Sequence, residues 1–137
     1  MVKLLAGAFV VLAVTSVLLY PLCHQVFRCG CRTMWGGAAD HCNVNAKEGP
    51  HCPWCDDVRL GAFGYLATLG LQAAVFAVGR WRRVSIASST LAAVVALPVA
   101  VLLAGGVTWL LTDYPHLVVK DARDRLGVPA GPVRTVR

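Results

Sequence analysis

The sequence predicts an all-α membrane protein: three transmembrane helices, with an irregular Cys/His-rich loop between the first and the second. Three observations carry this. Apolar residues make up 57% of the 137-residue chain against 15% charged, and they come in blocks instead of being interspersed with charge. Segments 4–22, 60–79 and 84–112 contain no Asp, Glu, Lys or Arg, and the shortest of them is 19 residues long. All six cysteines and three of the four histidines fall between Cys23 and Cys55. About 20 apolar residues at a rise of ~1.5 Å cross a hydrocarbon core of ~30 Å, so each segment is long enough to span. A chain of this length has room for one domain. We expect a single membrane domain over 1–137, with loop 23–59 and a surface tail over 113–137.

The first span follows a stub ending at Lys3 and closes at Tyr20-Pro21, where Tyr suits the headgroup level and Pro stops helix propagation. A secretory signal has a shorter apolar region and small residues at its cleavage site. Here Tyr20-Pro21-Leu22-Cys23 follows, which reads as an uncleaved span. The net charge of +6 does not point to nucleic acid. Lys and Arg gather at the span ends, where they meet lipid phosphates or mark topology, so the expected partners are membrane lipids and other membrane subunits.

From Cys23 the chain changes character. Gly30, Gly36, Gly37, Gly49, Pro50 and Pro53 rule out a long helix, and the apolar residues are too few for a core. A unit so small is held by disulfides or by a metal. The candidates are Cys23, Cys29, Cys31, Cys42, Cys52 and Cys55, whose connectivity the sequence leaves open. Cys29 and Cys31 are too close in sequence to close a relaxed disulfide on each other, so each bonds elsewhere or both face one metal. His24, His41 and His51 each adjoin a cysteine, and imidazole with thiolate is a natural zinc or copper ligand set. The spacings match no standard zinc finger. Cys52-Pro53-Trp54-Cys55 is a C-x-x-C pair. At a helix start the dipole stabilises a thiolate on the first cysteine and makes it a nucleophile, an effect that Asp56 and Asp57 oppose.

Asp56 and Asp57 open the second span, and Arg80, Arg82 and Arg83 close it, each sign suited to its end of the helix dipole. Arg80-Trp81-Arg82-Arg83 is then the whole turn to the third span, with Trp81 as an interfacial anchor. The third span exceeds a bilayer, which predicts tilt, a kink at Pro98 or an interfacial first turn at residues 85–89. Ser88, Ala92, Ala96, Ala100, Ala104 and Thr108 form a small-residue stripe suited to close helix packing in lipid, with Gly64, Gly70, Ala74 and Ala77 as its counterpart on the second span. A four-residue step drifts from the helical period, so the stripe winds and reaches more than one neighbour. Residues 117–126 have the pattern of a short surface helix ending at Gly127.

Two orientation signals disagree. With the N-terminus inside, the cytoplasm receives Lys3, Arg80, Arg82 and Arg83, while Arg28, Arg32, Lys47, Arg59, Lys120, Arg123, Arg125, Arg134 and Arg137 lie outside, against the positive-inside trend. Against that count stand the dense arginine turn and the cysteines, which suit an oxidising compartment. The expectation is an extracytoplasmic loop in the cytoplasmic membrane of a bacterium; a cytoplasmic loop makes zinc the better account of the cysteines.

Cys52-Pro-Trp-Cys55-Asp-Asp-Val-Arg59-Leu-Gly-Ala-Phe63-Gly64 resembles the opening of the second helix of the disulfide-bond formation protein B family. The resemblance implies a redox pair at Cys52 and Cys55, Arg59 beside a bound quinone, and electron flow from substrate thiols to quinone. It covers about a dozen residues of the 137. That family has four spans and a second cysteine pair in a later loop, and no cysteine follows Cys55 here. An upstream pair serving a membrane-surface C-x-x-C is closer to the vitamin K epoxide reductase arrangement, which also needs at least four spans.

The reading from the residues is therefore a small membrane protein whose loop is knit by disulfides, by a metal such as zinc or copper, or by both. It suits an accessory subunit better than an enzyme or a transporter, whose path is usually marked by intramembrane charge. Thiol–disulfide chemistry with quinone and metal binding are the two alternatives.

Overall fold

The structure is a computed structural model that describes residues 2–48, 50–112 and 114–117. Among these residues it is all-helical. Helix α1 is Val2–Phe27, α2 is the single turn Pro53–Asp56, α3 is Val58–Trp81, α4 is Ile86–Val95 and α5 is Leu97–Leu111. Two helices, α1 and α3, are long and apolar enough to cross a membrane, and α4 with α5 forms a third such unit bent by 43°. The bundle is apolar on its outside: Phe9, Leu66, Leu91 and Leu110 are exposed, Leu110 at 75%. In water such a surface would drive association, whereas lipid solvates it.

Helix α1 overruns its expected end. It passes through Pro21 and continues to Phe27. A proline removes one backbone donor, which a membrane helix tolerates where its neighbours compensate. The consequence is that Cys23 lies on a helix and faces the protein interior together with Val26 and Phe27. Arg28 ends the helix in the left-handed region at φ 51°, its N–H bonded to the His24 carbonyl at 2.7 Å.

Helix α3 starts at Val58 because Asp57 caps it, its carboxylate accepting from Arg59 N–H at 2.7 Å. Its buried row is Gly64, Thr68 and Gln72. Of the counterpart residues expected on this span, Gly64 packs, while Gly70, Ala74 and Ala77 are exposed. The turn after α3 places Arg83 at φ 60°, with the Arg80 guanidinium donating to the Val84 carbonyl. Ser85 then caps α4 through Ser88 N–H at 3.1 Å.

The break expected at Pro98 falls at Ala96, and Pro98 occupies the first turn of α5, where a missing donor is harmless. The break splits the small-residue stripe. Ala100, Ala104 and Thr108 are buried, but Ser88 and Ala92 are exposed and Ser89 and Ala93 hold the interior instead. The drift of a four-residue step and the bend together carry the first half of the stripe to the outside. Close approach survives at other points: a Cβ on Gly79 would lie 2.7 Å from Ser89 Oγ, and one on Gly105 would lie 2.7 Å from Val26.

The centre of the bundle is polar. Gln72 is fully buried; its Oε1 lies 2.7 Å from Thr15 Oγ1 on α1 and its Nε2 donates to the Ala93 carbonyl of α4 at 3.1 Å. One amide thus ties three helices. The expected tail helix lies outside the described residues apart from Leu117, which is buried.

Candidate metal centre

Segment 23–55 folds over the end of the bundle. Gly30, at φ 93°, carries the Cys29–Cys31 segment against His41: a Cβ there would collide with the His41 carbonyl, so only glycine fits. Asn43 joins the parts. Its N–H bonds to the Cys29 carbonyl at 2.7 Å, its Oδ1 accepts from Cys52 N–H at 2.8 Å, and its Nδ2 donates to the Pro50 carbonyl and to Tyr114 Oη, both at 2.8 Å. Tyr114 Oη in turn donates to the Phe27 carbonyl at 3.1 Å, closing the end of α1.

Below the cysteines lies an aromatic floor. Phe27 is wholly buried between Trp54, 5.1 Å away edge-on, and Tyr114, 5.7 Å away edge-on. Trp54 Nε1 donates to Thr108 Oγ1 on α5 at 2.8 Å, and its indole fills the space a Cβ on Gly64 would need. Trp54, inside the C-x-x-C, therefore fastens the loop to the bundle. The C-x-x-C does not place Cys52 at the start of a long helix: Asp57 interrupts, and α2 is four residues long. The dipole argument for an activated Cys52 thiolate loses its premise with that break.

All six cysteines converge on one site. Sγ–Sγ distances are 3.3 Å for Cys29–Cys31, 3.5 Å for Cys31–Cys55, and 3.6 Å for both Cys23–Cys29 and Cys23–Cys52. Cys42 joins through Cys29 and Cys31 on one side and Cys52 and Cys55 on the other, within 4.8 Å. Five of the six are at most 4% exposed, and Cys55 is half-buried. The expected disulfides are absent: all six cysteines are free, at separations well beyond the ~2.05 Å of an S–S bond. The physical reason is convergence. Each sulfur has several equivalent neighbours and none has a single partner. A thiolate about 2.3 Å from an ion puts adjacent sulfurs about 3.8 Å apart in a tetrahedron, close to the spacing here.

The histidines stay outside this cluster. His24 Nδ1 accepts from Gly30 N–H at 2.9 Å, His51 lies 3.6 Å from Asp56 and 3.2 Å from the Ala46 carbonyl, and His41 is exposed. They shape the loop, and the donor set is sulfur alone. Arg59 is exposed on the first turn of α3. Cys52 and Cys55 are within 4.8 Å of each other as members of the same cluster, and Cys52 is fully buried.

The buried thiols perturb one another. Thiol hydrogen bonds from Cys23, then from Cys31, Cys52 and Cys55, hold the Cys29 thiol well below its ordinary range. Burial pushes the Cys42 thiol up to about 12. One sulfur can thus carry charge while its neighbours resist it, because several buried thiolates together are prohibitively costly without a cation. A metal removes that conflict by taking the place of the protons. A sulfur-only set selects thiophilic ions such as zinc or copper(I) over oxygen-loving ones.

Comparison with family models, curated proteins and solved structures returned no match for this chain. The residue pattern marked every cysteine but not Asn43, Phe27 or Tyr114. An asparagine directly after a cysteine carries no local signal that its amide will join three segments.

Proposed function

We propose that this chain is a three-span membrane protein whose segment 23–55 is a metal–thiolate centre, folded by a thiophilic ion and carried at the membrane surface by the bundle. α1, α3 and the bent α4–α5 pair are the three spans. The observation that supports this reading is the convergence of six free, buried sulfurs with no histidine or carboxylate among them. A loop of this size gains most of its folding free energy from such an ion.

The same observation bears on orientation. Two features spoke for an extracytoplasmic loop, the dense arginine turn and cysteines suited to disulfides. Free thiols suit the reducing cytoplasm. Only the arginine turn then opposes the positive-inside count, and nine Lys/Arg against four favour a cytoplasmic loop and C-terminal tail. The thiol–disulfide reading needs an accessible nucleophile, and Cys52 is 0% exposed.

The test is metal analysis and mass spectrometry on protein extracted in mild detergent without oxygen. The reading predicts stoichiometric bound metal, thiols that alkylate only after chelation, and a mass that reductant does not change. Metal-free protein with six readily alkylated thiols, or a reductant-sensitive mass, would contradict it.

A further inference from the structure

The arrangement of the sulfurs decides how many ions the centre takes. They form four triads: Cys23/Cys29/Cys52, Cys23/Cys31/Cys55, Cys29/Cys31/Cys42 and Cys42/Cys52/Cys55. Within each triad the three sulfurs lie within 4.8 Å of one another. Every cysteine belongs to two triads, and any two triads share one cysteine, a different one for each of the six pairs. This is the connectivity of a tetrahedron: a triad at each corner, and a cysteine along each edge. One ion per triad gives four ions, each held by three sulfurs, and six sulfurs that each bridge two ions.

We propose that the site binds four copper(I) ions as a tetranuclear cluster bridged by all six cysteines. The inference rests on the metal–thiolate reading above. Copper(I) is soft, carries a single charge and accepts three thiolates in a plane. Zinc instead takes four ligands in structural sites, so two zinc ions sharing six cysteines would need groups of four mutually close sulfurs. Among the described residues the close groups are triads. A cubane iron–sulfur cluster spreads its cysteines around an inorganic core, whereas these sulfurs touch at 3.3–3.6 Å.

Charge is compatible with this loading. Loading four copper(I) ions onto six thiols releases six protons and takes the site from neutral to 2−, with no electron transferred. Two zinc ions on six thiolates would reach the same 2−, so it is the triad geometry that separates the two metals. Arg28 and Arg32 bracket Cys29 and Cys31 and bring cationic side chains to this end of the molecule. Three sulfurs in a plane around an ion at about 2.3 Å are about 4.0 Å apart, so the cluster widens by a few tenths of an ångström on loading. The half-buried Cys55 gives it that freedom. Entry is available too: a groove of about 420 Å³, lined by Leu19, Tyr20, Cys23, Trp54 and Asp56, reaches the cluster at Cys55.

The experiment is titration of the full chain in detergent micelles, without oxygen, with a copper(I) acetonitrile complex against a competing chelator. Native mass spectrometry reads the ions bound and X-ray absorption reads their coordination. The expected result is four copper ions bound together, all-sulfur three-coordinate, with copper–copper scattering at short range. Cys42→Ser severs two triads and leaves Cys23/Cys29/Cys52 and Cys23/Cys31/Cys55, so the count should fall from four to two. Cys55→Ser leaves a different pair of triads and predicts the same two. Wild-type protein that takes one or two zinc ions in tetrahedral sites and fewer than four copper ions overturns the tetranuclear cluster but keeps the metal centre. Protein that binds neither ion overturns both.

Discussion

The bundle and the cap it carries are stabilised by opposite means. The bundle turns many apolar side chains outward to lipid and buries hydroxyls, glycines and one amide between helices, beside Leu97 and Val101. Its stability is distributed, and no single contact is indispensable. The cap has almost no apolar interior of its own. Its backbone is fastened at a few points, Asn43, Tyr114 and Trp54, and its centre is six sulfurs. Deleting one side chain should therefore cost little in the bundle and much where cap and bundle meet.

Phe27→Ala should show the largest effect. Phe27 is 0% exposed and holds the joint between α1, Trp54 and Tyr114, so its loss should cost about 3–5 kcal/mol, read from denaturant titration in micelles. A loss below that of ordinary bundle substitutions would mean that the joint is not where the two regions are coupled. Next comes Tyr114→Phe, which leaves the Phe27 carbonyl and Asn43 amide short of a partner and should cost about 1–3 kcal/mol.

Tyr114 also predicts a pH response. Burial raises its pKa from 10.0 to about 12, so the folded state prefers the neutral phenol. That contribution is complete below pH 10.0 and is lost as pH rises through about 12. Alkaline melting curves should show it in the wild type and lack it in Tyr114→Phe. The smallest effect belongs to the bundle. Gln72→Leu removes the amide that ties three helices, yet interhelical hydrogen bonds in lipid average about 0.6 kcal/mol, so unfolding should shift only slightly.

The two regions also differed in how far the sequence foretold them. Long uncharged segments announce helices in lipid, because the bilayer imposes one length and one polarity on whatever crosses it. The ends were harder. Pro21 reads as a stop in water, but α1 continues through it to Phe27, and this moved Cys23 from loop to helix. The stripe from Ser88 to Thr108 is buried only at Ala100, Ala104 and Thr108, since periodicity assumes a straight helix and this one breaks at Ala96. In the cap, residue types revealed the thiols but not their geometry. Free convergent sulfurs and paired sulfurs can share one sequence; the difference lies in how Gly30 and Asn43 fold the chain between them.

The account depends most on the cap being held by metal and the bundle by packing. Amide hydrogen exchange before and after chelation, in the same micelles, tests this directly. Residues 29–55 should lose their protection when the metal is removed, while the middle of α3 keeps its own. Equal protection of the cap in both states would contradict the account.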